Sequence, residues 1–490
     1  MPIASDAIVS ALRDAGLLAG TRGHLPMSVA GIADDSRRVL RQGLFVAVRG
    51  ALRDGHDFLD AARDAGASVV LTEDATRTDL PAIIVRGGMG RRAAAVAAAA
   101  AYDGPARGLR LIGVTGTNGK TTTVHMLRHL MDRADARSAS VGTLGVRVGS
   151  AGDPLDGGSG LTTPGPVELQ RVCRALVDGG VRTVAMEMSS HALDQHRAEG
   201  VTFAAAVFTN LTRDHLDYHG TMDAYFQAKA LLADQVARDG AMVINADDPA
   251  WLGLPPHGRL VRFSVAGAVA EVRAMDIEAG PRGSGFVLAI GAAHHDVELP
   301  LIGDFNVANA AGAAAVAWAL GEPPAAIAQR LSSMPQVPGR LELLAHRPLV
   351  LRDYSHTPDS LGRALAAVRP LTPGRLICVF GAGGDRDRGK RPLMGAAVAA
   401  GADLVVVTSD NPRTEDPERI IDEIVAGITR HDYVRMVDRR EAIAYALSAA
   451  RPGDVVLLAG KGHETYQVIG TTHIPFDEKS IVHELLGSAA

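Results

Sequence analysis

Residues 109–131 constrain the fold more than any other segment. Leu109–Val114 is an apolar run of strand length, and Gly116-Thr117-Asn118-Gly119-Lys120-Thr121-Thr122 is a Gly-rich loop. Thr122–Met131 then carries Val124, Leu127, Leu130 and Met131 at the helical period. Strand, loop and helix in that order start a doubly wound α/β sheet. The glycines let backbone N–H groups close around phosphate oxygens, and the helix N-terminus adds its positive end. Lys120 is expected to reach the β- and γ-phosphates, and the Thr121 hydroxyl to ligate Mg²⁺. The pattern is the short Gly-x-x-Gly-Lys-Thr form, since Val114 stands where the full Walker A pattern has glycine.

The lysines carry a second signal. Of 50 basic residues only Lys120, Lys229, Lys390, Lys461 and Lys479 are lysine. Arginine replaces lysine on most solvated surfaces, but not where a compact ammonium or a deprotonatable amine is needed. Lys120 lies in the phosphate loop, Lys390 and Lys461 in Gly-rich segments, and Lys229 after a His/Asp cluster.

A chain of 490 residues needs several cores, with roughly two to four domains as the expectation. The formal charge of -5 argues against a dedicated nucleic-acid binder. Cys173 and Cys378 lie far apart among apolar residues and are expected to be reduced core thiols. The first twenty or so residues carry Asp6, Arg13 and Asp14 and do not read as a signal peptide. No uncharged apolar run reaches about 18 residues, so no spanning helix and no membrane insertion are expected. The expected compartment is the cytoplasm.

Three sections follow along the chain: 1–107, 108–337 and 338–490. In the first, Gly43–Val48, Val69–Leu71 and Ile83–Val85 read as strands of a small α/β unit, with a helix over the Ala93–Ala101 run. In the second, strands end in polar residues: Val184–Met186 in Glu187, Ala205–Phe208 in Thr209-Asn210, Met242–Ile244 in Asn245–Asp248. Ligands of open α/β sheets bind beyond such carboxyl ends. Residues 260–300 read as antiparallel hairpins and Leu301–Leu320 as helix. After a linker at Pro338-Gly339-Arg340, strands again end in charged or Gly-rich loops, which reads as a second doubly wound domain.

Glu187–His191 and Asp214–His219 supply carboxylate and imidazole at strand ends. Each alone also fits a hydrogen-bonded loop. Mg²⁺ takes few protein ligands, so Glu187 and His215 suffice if they converge on a nucleotide. Two readings are open for Lys229. It is a surface lysine, or an amine near divalent cations that reacts with carbon dioxide to give an anionic carbamate, N6-carboxylysine. In the third section, Gly383–Arg388 and Asp410-Asn411-Pro412-Arg413 lie at strand ends. Solvated loops are one reading. The other is a site for a charged amino acid, with guanidinium groups on carboxylates and Asp410 on an ammonium. His294-His295 reads as an exposed turn.

Taken in order, Gly116–Thr122, Thr162-Thr163-Pro164, Glu187–His191, Asp214–His219, Lys229, Asp304–Asn309, Pro338–Glu342, Asp353–Ser360 and Lys461–Glu464 resemble the Mur ligases over nearly the whole chain. The resemblance implies three α/β domains: a small UDP-sugar-binding domain, a central P-loop ATPase-type domain with extra β-hairpins, and a C-terminal Rossmann-like domain for the amino acid. Ser36, beside Asp34, and the Gly50–Arg53 turn would contact uridine diphosphate. Thr162, Thr163, Ser189, Gln195 and Arg197 would hold the muramoyl-dipeptide. Gly116, Thr117, Asn118, Gly119, Lys120, Thr121 and Thr122, with Asn309, Arg340 and Asp353, would hold ATP. Arg386, Asp410, Asn411, Pro412, Arg413, Gly460 and Glu464 would form a diaminopimelate pocket. Lys120, Lys229 and His215 would be catalytic, with Thr121, Glu187, His215 and carbamylated Lys229 around a pair of Mg²⁺ ions. Ser355 stands where the family pattern has alanine.

The implied reaction is cytoplasmic ligation of meso-diaminopimelate to UDP-N-acetylmuramoyl-L-Ala-D-Glu through an acyl phosphate, by a monomer acting only on small molecules. Closure of the third section over the second would exclude water. The alternatives are the same ligase with L-lysine or another amino acid, a folylpolyglutamate-type ligase, and a non-catalytic nucleotide switch. A separate first domain argues against the folylpolyglutamate type. The charged loops of the third section argue against the switch.

Overall fold

The structure is a computed structural model and describes residues 2–50, 53–158, 160–255, 257–280, 282–429 and 432–487. Ala51 and Leu52, within the Gly50–Arg53 turn, lie outside the described residues. The chain divides into two compact units, Met1–Val272 with Ala311–Ile327, and Arg273–Ala310 with Ala328–Ala490.

The first unit contains two main sheets beside a two-stranded pair, Ile3–Ala4 with Ser28–Val29. The smaller runs in the order Leu18–Arg22, Ala82–Val85, Ala67–Thr72, Gly43–Ala47, Ile32–Ala33. Only its edge strand Leu18–Arg22 is antiparallel to its neighbour. All five residues of Gly43–Ala47 are buried, as a parallel strand covered on both faces requires. Leu44 and Val46 pack with Ile8, Leu12, Ala94 and Ala98 of two helices, while Phe45 and Ala47 pack on Leu59 and Ala62.

The larger sheet positions the phosphate loop. Its first eight strands run Asp153–Leu155, Gly145–Val148, Arg137–Gly142, Val181–Glu187, Arg110–Thr115, Phe203–Phe208, Val236–Asn245, Arg259–Ser264. The first two pairings in this order are antiparallel and the other five parallel. Arg110–Thr115 sits where the strand order reverses, the position at which α/β sheets leave a crevice beyond their carboxyl ends. Register brings the polar residues together there: Val114 pairs with Glu187, and Thr115 with Phe208, just before Thr209. The helix after the loop runs Lys120–Met131, starting two residues earlier than its apolar period suggests.

Arg259–Ser264, at the start of the segment read as hairpins, pairs parallel with Val236–Asn245. A turn at Pro249–Gly253 lies between the two strands. Val261 and Phe263 are then buried, Phe263 against Gly312. The antiparallel expectation does hold for Gly283–Ile290 and Ala293–Leu299 in the second unit. His294 and His295 lie within the latter strand, not in a turn.

The second unit's main sheet runs Glu342–His346, Leu349–Asp353, Val455–Ala459, Leu376–Phe380, Leu404–Val407, Tyr433–Arg435. Its first pair is antiparallel and the rest parallel. Val455–Ala459 enters late in the chain between two earlier strands, so Asp353, Gly381, Asp410 and Gly460 gather at one edge. Arg439 fixes that edge. It donates to Ser409 O at 3.3 Å and Ala459 O at 2.8 Å, and pairs with Glu478 at 2.8 Å, both side chains fully buried.

Cys173 and Cys378 are buried and unbridged, and burial pushes both thiols up to about 12. Among the described residues no helix is long and apolar enough to cross a membrane.

Candidate active site

The phosphate loop is built on close approach. Gly116 has φ 142°, and a Cβ there would sit 1.9 Å from Thr209 Oγ1. The loop is tied to the neighbouring strand end. Asn118 N donates to Asn210 Oδ1 at 3.0 Å, Thr117 N to Asn210 O at 2.7 Å, and Thr209 Oγ1 to Asn118 O at 2.7 Å. Lys120 Nζ donates to Gly116 O and Thr117 O, both at 2.8 Å, so the ammonium already lies over the loop. Gly119 has φ 88° and precedes the helix N-terminus, an end that favours anions.

Glu187 stands beside the start of this helix. Its Oε2 accepts from Thr121 Oγ1 at 3.2 Å and from Thr143 Oγ1 at 3.2 Å, and its Oε1 from Thr143 N at 2.8 Å. The carboxylate fills the space that a side chain on Gly142 would need, with Oε1 2.1 Å from a Cβ built there. Glu187 is 1% exposed. A hydroxyl and a carboxylate side by side are hard oxygen donors and fit Mg²⁺. Among the described residues no group of three or more His, Cys, Asp and Glu is gathered to hold a metal ion. A cation here would therefore draw most of its ligands from water and phosphate, as Mg²⁺ does.

Lys229 is 1% exposed, so the surface-lysine reading fails. Its Nζ donates to Gly116 O at 2.8 Å, the same carbonyl that takes Lys120, and lies 4.5 Å above the Tyr225 ring centroid. Burial, reinforced by the Lys120 charge and opposed by Asp214, pushes the Lys229 amine well below the usual lysine range. Tyr225 also bonds Thr117 Oγ1 through its hydroxyl at 3.2 Å. His215 adopts a left-handed φ of 53° and lies 3.4 Å from Asp214. Burial lowers its imidazole, Asp214 opposes this, and Lys120 and Lys229 lower it further. His191 packs on His215, Tyr218 and His219 with centroids at 4.8, 4.3 and 5.4 Å. Burial, then its two histidine neighbours, push His191 down to about 4.

The residues expected at the muramoyl-dipeptide form one hydrogen-bonded group. Thr163 Oγ1 donates to Glu187 O at 2.8 Å and accepts from Ser189 N at 3.0 Å. Arg197 Nη1 donates to Thr163 O at 2.7 Å, and Nη2 to Gln195 Oε1 at 2.9 Å. Thr162 takes the Thr143 hydroxyl at 3.4 Å. Ser36 opens a short turn whose neighbour Asp34 lies 3.3 Å from a Cβ on Gly165, so that turn adjoins the Thr162–Pro164 loop.

The second unit holds the other expected residues. Asn309 Nδ2 donates to Asn306 Oδ1 at 3.2 Å within the helix Asp304–Ala319. Arg340 stacks on Tyr354 at 4.7 Å. Asp353 fastens a turn, accepting from Leu341 N and Ser355 N at 2.8 Å each and from the Ser355 hydroxyl. Ser355 thus makes a bond that the alanine of the family pattern would lack.

Asp410, Asn411, Gly460 and Glu464 converge. Asn411 Nδ2 donates to Glu464 Oε2 at 2.8 Å, and Asp410 Oδ2 lies 3.2 Å from a Cβ built on Gly460. Arg413, with φ 53°, donates Nη1 to Gly384 O at 2.8 Å. Arg386 and Arg413 flank Gly383, their Cγ and Nη1 lying 3.8 and 3.0 Å from a Cβ built on that glycine. Pro412 O packs against Gly384, locking the two loops. Sequence reasoning assigned Tyr225, Lys461 and Arg439 no part in a site. Tyr225 precedes Lys229 by one helical turn, and Lys461 is one of five lysines, so both had a signal. Arg439 had none.

Three family models match the chain: "Mur ligase family, catalytic domain" over residues 28–104, "Mur ligase middle domain" over 114–317, and "Mur ligase, glutamate ligase domain" over 339–462. The chain belongs to the Mur ligase family. Among curated relatives, the UDP-N-acetylmuramoyl-L-alanyl-D-glutamate--2,6-diaminopimelate ligase of Synechococcus elongatus is 45% identical over 469 residues, 93% of each chain. That of Geobacillus thermodenitrificans is 43% identical, covering 94% of this chain and 95% of the relative. A solved structure bearing the same enzyme name matches with a TM-score of 0.66 at 33% identity, over 95% of this chain and 97% of the other.

Proposed function

We propose that this chain is an ATP-dependent ligase that joins meso-diaminopimelate to the D-glutamyl carboxylate of UDP-N-acetylmuramoyl-L-Ala-D-Glu. The observation that carries this reading is the side-chain cluster at Asp410–Arg413. A buried carboxylate oxygen, Asp410 Oδ1, has no hydrogen-bond partner there, with Arg413 on the same loop and Arg386 on the adjoining one. An amino acid with an ammonium and a second, distant carboxylate answers both features. The relatives' names state 2,6-diaminopimelate as the amino acid of those proteins. The segments 1–107, 108–337 and 338–490 then serve the UDP-sugar, ATP and the amino acid in turn.

The γ-phosphoryl group passes from ATP to the glutamyl carboxylate, giving ADP and an acyl phosphate. The diaminopimelate amine attacks the acyl carbon, a tetrahedral intermediate forms, and phosphate leaves as the amide forms and a proton is released. Phosphoryl transfer of this kind is mostly positioning and charge compensation. Backbone N–H groups of 116–122 and the Lys120 ammonium take the phosphate charge. Thr121 and Glu187 would hold Mg²⁺, which supplies charge neutralisation to the phosphates when bound. A second Mg²⁺ would find its anionic ligand in carbamylated Lys229, beside His215. Thr162, Thr163, Ser189, Gln195, Arg197 and Ser36 orient the UDP-dipeptide. Asn309, Arg340 and Asp353 serve the adenosine side. The enzyme works as a cytoplasmic monomer.

Replacing Glu187 by Gln keeps the shape and removes the charge. The Mg²⁺ concentration for half-maximal phosphate release should rise at least about tenfold. An unchanged Mg²⁺ dependence refutes Glu187 as a ligand.

The substrate reading is tested by phosphate release with the UDP-dipeptide across a panel of amino acids. meso-Diaminopimelate should be used and L-lysine strongly discriminated against. Arg413→Ala should raise the half-saturating diaminopimelate concentration about ten- to a hundred-fold, and that of ATP little. Equal use of lysine by the wild type refutes the amino-acid assignment. A folylpolyglutamate-type activity is disfavoured by the match of residues 28–104 to a Mur ligase segment.

A further inference from the structure

Lys461 is completely buried, yet none of the ligation steps uses it. Its Nζ donates to Asn411 Oδ1 at 3.1 Å and to Glu464 Oε2 at 3.3 Å, and lies 3.6 Å from Asp410 Oδ1. The last separation is too long for a hydrogen bond. One ammonium thus sits among two carboxylates and an amide, and Asp410 Oδ1 is left without a hydrogen-bond partner. The same Asn411 amide is held by Val468 N, which donates to Oδ1 at 2.9 Å, and by Glu464, which accepts from Nδ2 at 2.8 Å. Gln467 Nε2 donates to Asp410 O at 2.6 Å, so the backbone of the loop is fixed as well.

We propose that Lys461 is a positioning residue for amino-acid recognition: it engages Glu464 and Asn411 and leaves Asp410 Oδ1 as the free acceptor for the substrate's ammonium. The charge count follows from this arrangement. Asp410 and Glu464 carry two formal negative charges and Lys461 one positive charge. The pocket therefore presents one net negative charge, which matches one ammonium. Without Lys461, Glu464 and Asp410 face each other with no buried counter-ion, and Asn411 loses a donor on Oδ1. The carboxylates then repel or turn away, and the acceptor is no longer aimed. Arginine cannot substitute, because a planar guanidinium does not fit a site shaped for a compact ammonium.

The inference rests on the diaminopimelate reading, and the experiment separates the two. Steady-state phosphate release is measured on the full-length protein, varying diaminopimelate, ATP and the UDP-dipeptide in turn. The variants are Lys461→Met, Lys461→Arg, Glu464→Gln and the double variant Lys461→Met/Glu464→Gln. Lys461→Met should raise the KM for diaminopimelate about 100-fold while the other two KM values move less than about threefold. Lys461→Arg should be as impaired. The double variant removes the cation together with its carboxylate, so it should recover to within about tenfold of Glu464→Gln alone. It keeps the wild-type net charge of one negative, on Asp410, and so remains measurable if Lys461→Met does not fold. Parallel changes in all three KM values, a fall in kcat alone, or a double variant worse than Glu464→Gln by more than about tenfold overturns the inference. A wild type that turns over with the UDP-dipeptide but not with diaminopimelate overturns the substrate reading and this inference together.

Discussion

Lys229→Arg is expected to be as inactive as Lys229→Ala, each losing about 10²–10³-fold in turnover. Three observations lead there. The side chain is buried, its amine donates to Gly116 O inside the phosphate loop, and burial with the neighbouring Lys120 charge pushes it well below the usual lysine range. A depressed amine is unprotonated at a lower pH than an ordinary lysine. Only the unprotonated amine attacks carbon dioxide, forming an N–C bond and releasing a proton. The product is a carbamate anion, a bidentate oxygen ligand suited to Mg²⁺. A guanidinium cannot follow this route, because it stays protonated. Acetate or propionate should partly restore Lys229→Ala by supplying the missing carboxylate, and should leave Lys229→Arg, which fills the space, unrestored. Depleting carbon dioxide should lower wild-type turnover, and bicarbonate should restore it. The restored activity should fall as pH drops through the depressed amine value, where the amine protonates. An active Lys229→Arg variant sinks the carbamate.

The contrast between what sequence pattern conveyed and what it did not has a physical basis. Strand ends were legible because buried parallel strands are short apolar runs, and the first polar residue after each marks the sheet edge. That rule located Glu187, Thr209, Asp353 and Asp410 from pattern alone. It could not give the burial of Lys229. The helix Met222–Asp234 has alanine or larger apolar residues on every side, at Ala224, Phe226, Ala228, Ala230 and Leu231. Its period therefore does not say which face turns inward. Lys461 was visible as a rare lysine, but its partners come from separate loops, Asp410-Asn411 and Glu464, that only the sheet order brings together. Arg439 looked like any of many arginines, and its two carbonyl partners belong to strands far apart in the chain. The parallel course of Arg259–Ser264 was hidden for a similar reason. Alternating apolar residues show a strand but not its direction, which the pairing with Val236–Asn245 sets.

Lys120→Ala should lower turnover by about 10³-fold or more while the protein keeps its fold. The phosphate loop collects negative charge as the γ-phosphoryl group leaves ADP, and Lys120 is the one side-chain cation the loop itself contributes. In the structure its ammonium is held by Gly116 O and Thr117 O, at 2.8 Å each. Losing two bonds from a half-buried side chain costs about 1–3 kcal/mol, small beside the stability of a packed α/β unit. The melting temperature should therefore shift by only a few degrees. A second consequence separates Lys120 from a merely structural residue. Lys120 lowers the Lys229 amine, and its positive charge would also attract a carbamate formed there. Removing it raises the amine and removes the attraction, and both changes work against carbamylation. ¹³C-bicarbonate NMR of the purified proteins should show a weaker carbamate signal in Lys120→Ala than in wild type. Wild-type phosphate release by Lys120→Ala would overturn the loop assignment. An undiminished carbamate signal in an inactive variant would leave Lys120 acting on phosphate alone.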